Sequence, residues 1–65
     1  MPVITLEGPK LDKEKKEALI KEFTKAASKI TGISPQAFIV LIKENDMDNI
    51  GSGGEMVSKL MEKKG

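Results

Sequence analysis

The 65-residue chain has no histidine, cysteine, tyrosine or tryptophan. Histidine, the side chain that most often moves a proton, and the cysteine thiol, an intrinsically strong nucleophile, are therefore missing. One candidate base is a backbone group. The chain begins Met1-Pro2-Val3, and proline's small side chain permits removal of a preceding methionine. Pro2 would then present a free secondary amine at the end of an apolar segment. A free α-amino group has a pKa of about 8. An apolar surrounding disfavours its ammonium form, and a neighbouring cation lowers the pKa further. An amine tuned towards neutrality is a competent general base. The pyrrolidine ring also holds the nitrogen rigidly, which a flexible lysine tip would not. With Met1 attached the nitrogen is an amide and this chemistry is closed.

Such an amine needs a scaffold, and the chain is short for one. It makes one domain at most, spanning residues 1–65. A chain of this size buries a small share of its surface, and no disulfide can staple it. Only Phe23 and Phe38 supply aromatic bulk. Stability must come from close aliphatic packing or from burial between subunits, and the second is favoured.

Charge excludes several function classes. Eleven lysines face ten acids, for a net charge of +1. That balance and the scarcity of stacking rings argue against nucleic acid as a partner. No apolar run approaches the roughly 18 residues of a membrane span, and no leader pattern opens the chain. A cytoplasmic protein without a membrane partner is expected, and no motif calls for a cofactor or metal. Every basic residue is lysine, so no guanidinium fork can clamp a carboxylate in two places.

The element order follows from spacing. Val3 to Glu7 reads as a strand closed by Gly8-Pro9. Asp12 suits a helix N-cap. Leu19, Ile20, Phe23, Ala26, Ala27 and Ile30 then form an apolar stripe at helical spacing. Gly32 stands where a C-cap glycine belongs. After Ser34-Pro35 the run from Phe38 to Ile42 is apolar without alternation, as in a strand covered on both faces. A strand–helix–strand connection favours a right-handed crossover and parallel strands. One helix covers one face only, so the other face is expected to meet a second copy of the chain. Glycines 51, 53 and 54 permit a tight hairpin, and a short helix-prone tail follows.

Taken together, the Met-Pro start, Glu7-Gly8, the helix DKEKKEALIKEFTKA and the hairpin IGSGGE resemble the 4-oxalocrotonate tautomerase family, in its short DmpI-type branch. The likeness covers nearly the whole chain. It implies an α/β (α+β) fold: a tautomerase-like β-α-β unit with parallel strands and a C-terminal hairpin. It implies a homohexamer built as a trimer of dimers. It also implies an isomerase that interconverts enol and keto forms, with Pro2 as the catalytic base. Family members acting on dicarboxylates carry two arginines. Lys10 is the cation nearest the first of these positions, Ile39 occupies the second, and Ile50 stands at the hairpin's aromatic wall. The implied substrate site is therefore Pro2 with Lys10, Ile39 and Ile50, more aliphatic than the archetype and suited to a small or less charged enol or α-keto acid.

Blander readings stand beside these. Lys10 could be a solvated loop lysine, and Ile39 and Ile50 core or interface residues. The missing arginines also fit a tautomerase-fold protein kept for assembly or ligand binding. The acids Glu44, Asp46 and Asp48 suggest a calcium loop, but its sixth position is Asn49 rather than glycine. Gly51-Ser52-Gly53-Gly54 lacks the spacing and lysine of a phosphate cradle.

Overall fold

The computed structural model describes residues 1–63. Strand β1 (Val3–Gly8) leads into helix α1 (Lys13–Thr31), and strand β2 (Ile39–Glu44) returns beside β1. The strands are parallel, in a register that sets Val3 against Ile39 and Gly8 against Glu44. Strands β3 (Gly51–Ser52) and β4 (Glu55–Met56) form a small antiparallel hairpin, and helix α2 (Val57–Lys63) follows it.

Both ends of α1 are fixed by local chemistry. Asp12 is extended, and its Oδ1 accepts from the Lys15 N–H at 2.8 Å, filling one of the donors a helix start leaves open. At the other end Gly32 turns left-handed at φ 75°, and its N–H donates to Ser28 O at 2.9 Å. Thr31 and Ser28 then hold Ile33: Thr31 Oγ1 accepts its N–H, and Ser28 Oγ donates to its carbonyl.

The second strand starts at Ile39, one residue later than the apolar run suggests. The Phe38 N–H is taken by Pro35 O, which closes a short 3₁₀ turn over Pro35–Ala37. The first free amide after that turn, on Ile39, donates to Pro2 O at 3.0 Å and begins the pairing. The hairpin turn is Gly53-Gly54, at φ 61° and 85°. Two positive φ values in succession are what a two-residue type I′ turn requires.

Burial alternates along both strands. Ile4, Leu6, Val40 and Ile42 are half-buried with Leu19, Phe23 and Ala27 of α1. Three members of the anticipated helix stripe do not join them: Ile20 is 41% exposed, Ile30 84%, and Ala26 is exposed as well. Thr24 and Ser28 are half-buried instead. The opposite sheet face carries Val3, Thr5 and Glu7 on β1 and Ile39, Leu41 and Lys43 on β2, all exposed. The expectation of a strand covered on both faces is therefore met on one face only within a single chain.

The loop between β1 and α1 is pinned by Glu44. Its Oε2 accepts from the Leu11 N–H at 2.9 Å and lies 3.2 Å from Lys16 Nζ. Asn45 ties the same end of the sheet together, donating from its backbone to Gly8 O and from its side chain to Glu7. The Leu11 N–H, then the Lys16 ammonium, hold the Glu44 carboxyl below its ordinary value of 4.5. A depressed folded pKa stabilises the folded state above the ordinary value, and that contribution is lost as pH falls through the folded value.

Two measurements follow. Asp12→Ala should cost about 1 kcal/mol of stability, read from urea melts at one protein concentration; an unchanged midpoint would mean the cap contributes nothing. The Leu11 amide proton shift should titrate with a midpoint below 4.5, and a midpoint at or above that value would mean the Leu11–Glu44 contact is absent in solution.

Candidate functional site

Pro2 sits at the edge of the parallel sheet, half-buried, with its carbonyl fixed by the Ile39 N–H. That bond fixes the base of the pyrrolidine ring against β2. The neighbouring register pair, Val3 with Ile39, gives Pro2 an apolar border, 55% and 39% exposed respectively. Met1 extends beyond it, 84% exposed. Two of the four anticipated site residues, Pro2 and Ile39, are thus brought together within one chain.

Lys10 and Ile50 are not. A strand rises about 3.3 Å per residue, so roughly 20 Å separates Pro2 from Gly8, and Lys10 lies beyond that. Lys10 lines an open cleft of about 290 Å³ with Pro9, Asn45, Asp46 and Met47. Ile50 lines a second open cleft of about 430 Å³, with the hairpin residues Gly51, Gly54, Glu55 and Met56 among its walls. Because β1 and β2 are parallel, the chain leaves β2 at the end away from Pro2, and the hairpin segment starts there. The Val57 N–H closes that unit by donating to Ile50 O at 2.8 Å.

The acidic segment behaves as structure. Glu44 is committed to Leu11 and Lys16. Asp46 accepts from the Asp48 N–H and caps a short 3₁₀ turn over Met47–Asn49. The two Glu44 contacts were not foreseen from sequence. They join residues 33 positions apart in the case of Leu11, and no local pattern signals such a pair.

The geometry of β-α-β unit and hairpin is shared with known proteins. The family described as tautomerase enzyme matches residues 2–60. Among solved structures, DmpI from Archaeoglobus fulgidus is 37% identical with a TM-score of 0.79, over 88% of this chain and 98% of that one. DmpI from Helicobacter pylori is 27% identical with a TM-score of 0.79, over 89% and 98%. YwhB, a homologue of 4-oxalocrotonate tautomerase, is 28% identical with a TM-score of 0.81, over 88% and 95%. No curated protein sequence matches significantly. A family match across nearly the whole chain, on the same fold, makes this chain a member of the tautomerase enzyme family, of the short DmpI type.

Proposed function

We propose that this protein is a cytoplasmic isomerase interconverting the enol and keto forms of a small unsaturated or α-keto acid, with Pro2 as general base once Met1 is removed. The observation that carries the reading is the placement of Pro2: anchored through its carbonyl at the rim of the sheet, against an exposed apolar border, in a chain without histidine, cysteine or tyrosine. The Pro2 nitrogen takes the enol hydroxyl proton, so an O–H bond breaks and an N–H bond forms. The C=C electron pair then takes that proton from nitrogen, leaving a C–H bond and a carbonyl. Atoms and electrons balance without a cofactor. Ile39 and Ile50 act as apolar walls that favour the neutral amine. Lys10 holds the substrate carboxylate as a point charge.

Because Pro2 and Lys10 lie at opposite ends of the parallel sheet, the reading requires a second copy, set antiparallel to the first, to bring its Lys10 loop and Ile50 to the first copy's Pro2. The shape of the single chain supports association. Its accessible surface is 5271 Å², against about 4,100 Å² for a compact monomer of its mass. Its radius of gyration is 15.7 Å, against about 11 Å for a compact domain of its length. The excess area, roughly 1,200 Å², exceeds the ~800 Å² each partner gives to a standard interface. A homohexamer, as a trimer of dimers, is the proposed assembly. The missing arginines favour a second reading, a tautomerase-fold ligand-binding or assembly protein without significant turnover, which the same experiments distinguish.

Protein with Met1 removed, verified by mass, should ketonise phenylenolpyruvate at least ~100-fold faster than protein retaining it, with a rate that rises as one group loses a proton below the ordinary α-amino pKa. Equal rates would place the base elsewhere, and no turnover in either would favour the binding protein. Lys10→Ala should raise KM about tenfold with little change in Tm; an unchanged KM removes Lys10 from the site. Sedimentation equilibrium should give a mass near six chains, and Leu41→Lys on the exposed face should shift it towards monomer with loss of activity. A well-folded wild-type monomer would end the shared-site reading.

A further inference from the structure

We propose that Glu44 is a positioning residue for substrate binding: by accepting the Leu11 N–H it fixes the path of the Pro9–Leu11 loop, and so places the Lys10 ammonium where a substrate carboxylate docks. The inference rests on the reading of Lys10 given above and adds a residue that does not touch substrate. Lys10 stands between Pro9, which has no N–H to anchor, and Leu11, whose N–H is held at 2.9 Å by Glu44 Oε2. Before the loop, the Gly8 carbonyl is held by the Asn45 N–H at 2.7 Å, and after it Asp12 caps α1. The Leu11–Glu44 bond is therefore the tie between those two fixed points. It comes from the last residue of β2, so it locks the loop to the sheet rather than to its own neighbours.

The charge of Glu44 raises a second issue. A carboxylate this close to Lys10 would compete with an anionic substrate for the ammonium. Here its Oε2 is occupied by the Leu11 N–H and by Lys16 Nζ at 3.2 Å. Leu11 and Lys16 act on that charge most strongly and Lys10 least, which leaves the Lys10 ammonium the less committed of the two cations. Glu44 thus has two opposing effects on binding, one through the hydrogen bond it accepts and one through the charge it carries. Substitutions can separate them, because glutamine keeps an acceptor oxygen for Leu11 while removing the charge.

The test measures KM and kcat of the methionine-free protein with phenylenolpyruvate and with its methyl ester, alongside the Kd of phenylpyruvate by calorimetry. Glu44→Ala should raise KM and Kd for the acids roughly fivefold, with kcat within about twofold and no change in KM for the ester. Glu44→Gln should leave KM for the acid equal to or below that of the parent, and Lys16→Ala, which spares the Leu11 bond but uncovers the Glu44 charge, should raise it above that of Glu44→Gln. The inference is overturned if Glu44→Ala leaves KM and Kd unmoved, if the ester is affected equally, or if Glu44→Gln behaves like Glu44→Ala. Should Glu44→Ala not fold, the glutamine variant and the Leu11 amide shift decide: a raised KM in Glu44→Gln with the Leu11 contact intact overturns it, and an unraised KM with the contact intact supports it. Lys10→Ala distinguishes the two levels of the argument. An unchanged KM there overturns the Lys10 reading and this inference with it, whereas a raised KM beside an inert Glu44→Ala overturns this inference alone.

Discussion

A two-stranded parallel sheet has two faces, and this chain supplies a single long helix to cover them. Most of the molecule's properties follow from that shortage. Ile4, Leu6, Val40 and Ile42 are half-buried with Leu19, Phe23 and Ala27 of α1, while Val3, Ile39 and Leu41 remain in solvent on the other side. No described residue is fully buried in the single chain. A fold with so little interior gains further hydrophobic stabilisation only by meeting another surface. The same uncovered face borders Pro2, so the need for a partner and the location of the candidate site have a common origin.

Parallel pairing also separates the chemistry. Both strands run away from Pro2, so the β1–α1 loop and the departure towards the hairpin collect at the far end. That end is polar and tied by several hydrogen bonds: Glu44 to Leu11, Asn45 to Glu7 and to the Gly8 carbonyl. The Pro2 end is apolar, with one backbone bond to Ile39. The proposed base, Pro2, which would work best with its charged form disfavoured, sits at the apolar end, and the cations Lys10 and Lys16 sit at the other. Two copies running in opposite directions would combine the two environments without either having to form within one small chain.

Lysine as the sole basic residue shapes what such a site could hold. A single ammonium offers a point charge, where an arginine pair would fix both ends of a diacid. Its direction must then come from the backbone that carries it, which is why the proposed role of Lys10 makes the contact between Glu44 and Leu11 matter for binding as well as for folding.

Local pattern determined much of this. The capping aspartate, the C-cap glycine, the helix between them, the two strands and the Gly53-Gly54 hairpin are each set by interactions a few residues long, and each was legible in the order of residue types. So was Pro2 as a candidate base, since histidine, cysteine and tyrosine are absent from the composition. The strand start at Ile39 was not legible, because it depends on the Phe38 N–H being spent on Pro35. Nor was the exposure of Ile20 and Ile30, because a helical stripe gives a direction but not the width of the surface it meets. Only the tertiary structure decided that Ile39 lies beside Pro2 while Lys10 and Ile50 lie far from it, and that Glu44 reaches Leu11. Those relations join residues distant in sequence, and they are fixed by strand register, which no short stretch of sequence encodes by itself.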